Sequence, residues 1–121
     1  MKEKRVLTKA SQSSKEIKEL LNAFPGDVTL LIELGKCYLQ DGKLNRAIDI
    51  LKEAVTKAPD YSVAYRYLGK AYEADGKPKR ASETYRNGIS VAERSGDLQT
   101  AKEMTVFLRR IEKGKSRPTS S

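Results

Sequence analysis

The sequence predicts an all-α protein, a stack of about six helices arranged as helical hairpins in one domain. Three observations support this fold class. Shifted by 34 residues, the chain matches itself, and residues 34–47 and 68–81 agree at nine of fourteen positions. In each copy the apolar residues recur every three or four positions, the period of a helix packed on one side. An Asp-Gly pair interrupts this pattern in the middle of each copy. A unit that recurs at a fixed period is one supersecondary element that needs its neighbours to bury its apolar face.

The first hairpin is predicted over residues 28–60. Its first helix carries an apolar stripe of Leu30, Leu31, Leu34, Cys37 and Tyr38. Gly42 ends that helix, because glycine accepts the left-handed conformation that a helix C-terminus requires. A second helix follows with Leu44, Ala47, Ile48, Leu51, Ala54 and Val55 on one face, and Pro59 stops it.

The second hairpin is predicted over residues 62–95. Its stripes are Ala64, Tyr65, Leu68, Ala71 and Tyr72 in the first helix and Ala81, Tyr85, Gly88, Ile89 and Ala92 in the second. Pro78 suits the first turn of the second helix, where its missing N–H is not needed. Glu93 stands 34 residues after Pro59. Without a proline there, this helix is expected to continue to Ser95-Gly96.

One more helix is predicted at each end. At the N-terminal end, Ser13 and Glu16 have the spacing of a capping box and begin a helix over residues 13–24. The basic segments 1–12 and 114–121 are expected to be disordered tails.

At the C-terminal end, Asp97 is the predicted N-cap of a helix over residues 97–113, with Gly114 as its stop. One face of this helix carries Ala101, Met104, Phe107, Leu108 and Ile111. The 34-residue offset places Gln99 and Lys102 where large apolar residues would stand in a third copy. We therefore predict a capping helix, not a third repeat.

The two copies resemble the tetratricopeptide repeat family, whose 34-residue pattern combines large residues, Leu-Gly, tyrosine, small residues and proline. The first copy supplies Leu31, Leu34, Gly35, Tyr38, Ala47, Leu51, Ala54 and Pro59. The second supplies Tyr65, Leu68, Gly69, Tyr72, Ala81, Tyr85 and Gly88. The resemblance spans roughly residues 14–113 and is to small stand-alone two-repeat proteins.

The resemblance implies a non-catalytic protein-interaction module that binds a short peptide or partner helix in a concave groove. The implied groove positions are Thr29, Ile32, Glu33, Lys36, Leu39 and Gln40 in the first copy, and Val63, Arg66, Tyr67, Lys70, Glu73 and Ala74 in the second. We expect Ile32, Leu39, Val63 and Tyr67 to form apolar contacts, and Lys36, Arg66 and Lys70 to favour acidic ligands slightly. The alternative is that the apolar residues are scattered surface or pack on neighbouring helices, and that the charges form a solvated face. The family's carboxylate clamp is not expected, because Ile32 and Lys36 stand where its first lysine and asparagine would be.

The amino-acid composition argues against catalysis and metal binding. The chain has no histidine and one cysteine, Cys37, so it lacks the commonest general base, an intrachain disulfide and the ligands of a zinc site. We predict no enzyme activity, no metal and no cofactor. Cys37 itself is expected to be a small buried apolar residue.

The net charge of +8 is concentrated at the ends. Residues 1–12 hold four basic residues and one acidic, and residues 109–121 hold five and one, against 15 and 14 in the segment between them. The alternative function is therefore binding of nucleic acid or another acidic surface by the tails. Their lack of aromatic residues for base stacking makes a nucleic-acid partner the less favoured prediction. With no apolar run of about 18 residues and no secretory leader, we expect a cytoplasmic monomer with no membrane partner.

Overall fold

The structure is a computed structural model that describes residues 14–116, with side chains described to residue 114. This part of the chain contains six α-helices and no strand. The helices are α1 (Ser14–Ala23), α2 (Val28–Gln40), α3 (Leu44–Lys57), α4 (Ser62–Ala74), α5 (Pro78–Arg94) and α6 (Leu98–Ser116). The predicted all-α hairpin stack is confirmed.

Three of the connections between helices use the same turn. Gly42, Gly76 and Gly96 have φ of 76°, 72° and 78°. The residue after each glycine donates its backbone N–H to a carbonyl five residues earlier, at 2.9 Å for Lys43, 2.9 Å for Lys77 and 2.8 Å for Asp97. These are Schellman turns, and each reverses the chain within the three residues between two helices. The two Asp-Gly stops and the Ser95-Gly96 stop therefore fall where the sequence predicted them.

The helices pack in two unequal layers. Each helix contacts the next one along the chain, and in addition α2 contacts α4 and α4 contacts α6. Within the described residues, α3 and α5 make no such contact with each other. The layer of α2, α4 and α6 is therefore the more closely spaced one. We call the surface of this layer the inner face.

The core follows the apolar stripes. Ala47, Leu51, Ala54, Ala81 and Tyr85 have no measurable exposure, and Leu31, Leu34, Leu68 and Met104 are at most 6% exposed. The core combines small residues, such as Ala47, Ala54 and Ala81, with large ones, which allows close packing.

Glycines set the approach of the two helices in each hairpin. A Cβ on Gly35 would lie 2.6 Å from Leu51 Cγ, and a Cβ on Gly69 would lie 2.2 Å from Tyr85 Cε1. Neither distance is compatible with a side chain. The Leu-Gly pair of each copy is thus explained by a large residue of the partner helix that occupies the space of the missing methyl group.

One detail at the C-terminal end of the stack differs from the sequence prediction. Helix α6 does not stop at Gly114 but continues through it to Ser116, because Gly114 does not adopt the positive φ of the other terminating glycines. The predicted cap Ser13 and most of the predicted tails, residues 1–12 and 117–121, lie outside the described residues. No helix within residues 14–116 has both the length and the hydropathy of a membrane span.

The final helix starts directly after its predicted cap Asp97, two residues later than a 34-residue offset would place it. Helices α2, α4 and α6 begin at Val28, Ser62 and Leu98, so the spacing is 34 residues and then 36. Helix α5 has 17 residues against 14 in α3, and the connection after it is one residue shorter, so the spacing grows by two. The absence of a proline at Glu93 predicted this extension. Helix α6 therefore occupies the place of the first helix of a third hairpin, with a shift of two residues.

Candidate functional site

The inner face brings the charged groove positions of both copies together. Lys36 on α2 and Arg66 on α4 both lie against the ring of Tyr67, with Lys36 Nζ at 5.3 Å and Arg66 Cζ at 4.8 Å from its centroid. A cation at this distance is attracted by the negative face of an aromatic ring. Tyr67 is half-buried and also packs against the core. The resemblance implied all three as groove positions, and in the structure the two cations meet at one aromatic ring.

Both of these cations are already neutralised. Lys36 Nζ lies 3.2 Å from Glu33 Oε2, one helical turn earlier. Arg66 Nη1 lies 2.6 Å from Glu103 Oε1 on α6, and Gln99 donates a 3.2 Å hydrogen bond to the other oxygen of Glu103. The Arg66–Glu103 pair is one-quarter to one-third exposed and ties α4 to α6.

A second cation–aromatic cluster lies between α4 and α6. Lys70 Nζ is 4.2 Å and Arg110 Cζ is 5.3 Å from the centroid of the half-buried ring of Phe107. The ring of Tyr85 supports Phe107 from α5, with centroids 5.6 Å apart. We call Lys70, Phe107 and Arg110 the Phe107 cluster. It repeats the arrangement of Lys36 over Tyr67, because Lys70 stands 34 residues after Lys36 and again lies over an aromatic ring of the next inner helix.

Glu73 is held in place next to this cluster. The buried hydroxyl of Tyr85 donates a 2.6 Å hydrogen bond to Glu73 Oε1. Burial raises the pKa of Tyr85 well above its ordinary value, and the hydrogen bond to Glu73 adds to this. Tyr85 therefore remains a donor, and Glu73 is fixed as its acceptor.

Lys36 keeps its positive charge at neutral pH. Partial burial acts to lower the pKa of Lys36, but the hydrogen bond to Glu33 and the nearby Tyr67 outweigh it and raise the pKa above its ordinary value. The lysine is therefore fully protonated at neutral pH.

One predicted groove contact is wrong. Ile32 is 5% exposed and belongs to the core. Helix α2 packs against α1, α3 and α4, which leaves little of its surface uncovered, and Ile32 falls within the covered part. Of the other predicted groove positions, Leu39 is half-buried and packs against the core, Val63 is half-buried, and Thr29 is exposed.

Three residues of the inner face were missed from the sequence: Glu103, Phe107 and Arg110. All lie on α6, which the 34-residue offset excluded from the groove. The signal that could have found them is the predicted cap Asp97, which stands 36 residues after Tyr61, the residue that precedes α4.

An offset of 36 residues brings α6 into register with α4. It places Ala101, Met104 and Leu108 at the positions of the stripe residues Tyr65, Leu68 and Tyr72. With this offset α6 aligns with α2 and α4 as a third inner helix, and its outward side chains are then assigned to the inner face.

Cys37 is half-buried, where the sequence predicted a buried residue. Burial raises the pKa of its thiol, and the carboxylates of Glu33 and Asp41 add to this. A thiol with a raised pKa holds little thiolate at neutral pH and is a poor nucleophile. Among the described residues, no group of three or more potential metal ligands is clustered.

Large apolar side chains are exposed at both ends of the stack. Leu20 on α1 and Phe24 just after it are 45% and 58% exposed, and Leu98 and Val106 on α6 are 62% and 54% exposed. An open depression beside α6 is lined by Glu93, Leu98, Ala101, Lys102, Thr105, Val106 and Arg109. The flanking helices therefore cover the hairpins but leave apolar surface of their own.

Comparison with known proteins gives one consistent result. A family model described as tetratricopeptide repeat matches residues 38–104. A TPR repeat-containing protein of Pseudomonas aeruginosa is 35% identical over 83 residues, which cover 69% of this chain and 79% of that protein.

Solved structures agree with the sequence matches. A Bordetella parapertussis protein solved in solution is 30% identical with a TM-score of 0.75, over 85% of this chain and 90% of that one. A tetratricopeptide repeat domain protein of Salinibacter ruber is 29% identical with a TM-score of 0.72, over 78% and 95% of the two chains. The Sgt2 TPR domain of Aspergillus fumigatus, 20% identical with a TM-score of 0.67 over 88% and 72%, shares the fold.

Proposed function

Because this chain belongs to the tetratricopeptide repeat family, we propose that it holds a short peptide or a partner helix against its inner face, without catalysis. The family fold is in general a protein-interaction module. Within that general role, the inner face is the proposed contact surface and acidic peptides are the proposed ligands.

The observation that carries the proposal is the pair of aromatic rings on the inner face. Tyr67 and Phe107 are half-buried, and each is flanked by cations from two helix positions. Tyrosine and arginine are enriched among the residues that dominate binding energy at interfaces. Rings held in place by the core lose little conformational freedom on binding, which favours affinity.

The charges of the inner face favour an acidic ligand slightly. Four cations, Lys36, Arg66, Lys70 and Arg110, stand against three carboxylates, Glu33, Glu73 and Glu103. The excess is small, so we propose a mild preference and not an absolute requirement. Three inner helices form a short surface, and a micromolar, transient affinity is expected.

The test is selection of peptides from a random library displayed on phage, followed by mapping of the contact surface by NMR amide shifts. Selected peptides should shift resonances of α2, α4 and α6. The double variant Lys36→Glu/Lys70→Glu should weaken binding, whereas the control Lys52→Glu/Lys79→Glu changes exposed lysines on α3 and α5 and should not. Shifts confined to α3 and α5, or equal loss in both variants, would contradict the proposal.

The alternative function, binding of acidic surfaces by the basic tails, rests on residues 1–12 and 114–121, most of which lie outside the described residues. Removing residues 1–12 and 117–121 separates the two proposals. If the trimmed chain loses peptide binding, the inner face is not the site.

A further inference from the structure

We propose that the Phe107 cluster is the anion-binding point of the inner face, where an acidic side chain of a bound peptide contacts Lys70 and Arg110 above the Phe107 ring. This inference rests on the proposed function and names the site and ligand chemistry within it. It moves the predicted anion contacts from α2 and α4 to the junction of α4 and α6.

The other two cations of the inner face are occupied. Lys36 pairs with Glu33, and Arg66 pairs with Glu103. A ligand carboxylate would have to compete with these internal partners, and displacing either one would leave a carboxylate of the chain without its cation.

Lys70 and Arg110 differ from these two cations. Both side chains are exposed, and within the described part of the chain neither forms an ion pair. They contact the ring of Phe107, at 4.2 and 5.3 Å from its centroid. Two like charges held at one ring repel each other, and an anion placed beside them relieves that repulsion.

The acidic residue next to the cluster is engaged elsewhere. Glu73 accepts the hydrogen bond of Tyr85 at 2.6 Å. It lowers the local positive charge but does not pair with either cation, so the cluster keeps an excess of one positive charge.

The cluster is built on rigid elements. Phe107 rests on Tyr85, which is fully buried. Lys70 and Arg110 project from two different helices, which the Arg66–Glu103 pair holds together one turn before Lys70. A ligand therefore meets two positioned cations and an apolar ring, which suits an acidic residue next to an apolar one in a peptide.

The experiment uses two capped peptides that differ only in charge, Ac-Leu-Glu-Leu-Glu-Leu-Glu-NH2 and its glutamine counterpart. Binding to the full chain is measured by NMR titration at low salt. We expect the acidic peptide to bind about tenfold more tightly, the gain from two partly exposed ion pairs. It should shift the side-chain signals of Phe107 and Arg110, and added salt should weaken it.

The variant Lys70→Met/Arg110→Met should abolish this tenfold preference, and Lys70→Arg/Arg110→Lys, which keeps both charges, should retain it. Lys52→Met/Lys79→Met is the matched control on α3 and α5, and circular dichroism checks that each variant folds.

Three results would overturn the inference. If both peptides bind equally well at the inner face, the inference is wrong but the proposed function is kept. If neither peptide binds, the inference is also wrong. If, in addition, the phage selection yields no binding peptide, the proposed function is wrong too. Tighter binding of a single-stranded RNA oligonucleotide that depends on Lys70 and Arg110 would assign the cluster to nucleic acid instead.

Discussion

The Ser62 hydroxyl donates a 2.7 Å hydrogen bond to Asp97 Oδ2. Ser62 is the first residue of α4, and Asp97 precedes α6 and accepts a 3.3 Å hydrogen bond from the Thr100 backbone N–H. One carboxylate therefore caps α6 and joins its start to the start of α4. Because these two helices carry the Phe107 cluster, this contact positions the proposed site.

Replacing Asp97 with alanine should destabilise the protein by about 1–2 kcal/mol, since it removes an N-cap and leaves the buried Ser62 hydroxyl without its acceptor. Chemical denaturation measures this. Asp49→Ala on the exposed surface of α3 is the control and should change stability by less than about 0.5 kcal/mol. An equal effect of the two changes would show that Asp97 acts only through its charge.

The contribution of Asp97 should depend on pH. The hydrogen bonds from Ser62 and Thr100 hold the pKa of Asp97 below its ordinary value. Such a carboxylate stabilises the fold above its unfolded pKa, and the contribution is lost as pH falls through the lower folded pKa. The stability difference between wild type and Asp97→Ala should thus be constant near neutral pH and shrink below about pH 4. A difference that grows on acidification would contradict this assignment.

Gly69→Ala should destabilise the protein by about 1–3 kcal/mol, although alanine favours helices, because its Cβ would lie 2.2 Å from Tyr85 Cε1. Gly26→Ala is the matched control, since its Cβ meets nothing within 4 Å. Thermal unfolding of both variants decides the question. A neutral Gly69→Ala would mean that the hairpin does not need this close approach.

Tyr85→Phe should cost about 1–2 kcal/mol, because Glu73 loses the donor that the buried hydroxyl supplies. Tyr61→Phe changes a tyrosine that is 44% exposed and should be neutral. Denaturant unfolding compares the two. Equal stabilities would show that water replaces the hydroxyl at Glu73 without loss.

Cys37 should react slowly with a thiol reagent in the folded protein, at least about tenfold more slowly than in denaturant, because burial raises the pKa of the thiol and covers part of it. Absorbance at about pH 8 follows the reaction, with Cys37→Ala as the blank. Equally fast labelling in both states would identify an activated thiol and reopen the question of chemistry at this position.

The hairpins were predictable because the features that build them are local. Gly42 and Gly76 end helices by their backbone conformation, and Gly35 and Gly69 mark close contacts through a partner in the same hairpin. The site was less predictable. Ile32 occupies a groove position by its place in the repeat. Its burial, however, depends on the three helices that pack against α2. The inner-face residues of α6 were missed because α5 is longer than α3, which moved α6 out of the 34-residue register.

The helices of the two hairpins and the turns within them follow from the amino-acid sequence alone, because each depends on residues within one hairpin. Which cations of the inner face are already paired, and which aromatic rings they meet, depends instead on the folded arrangement. Those contacts join residues of different helical units, such as Arg66 with Glu103 and Lys70 with Phe107, and their distances follow from how the units stack.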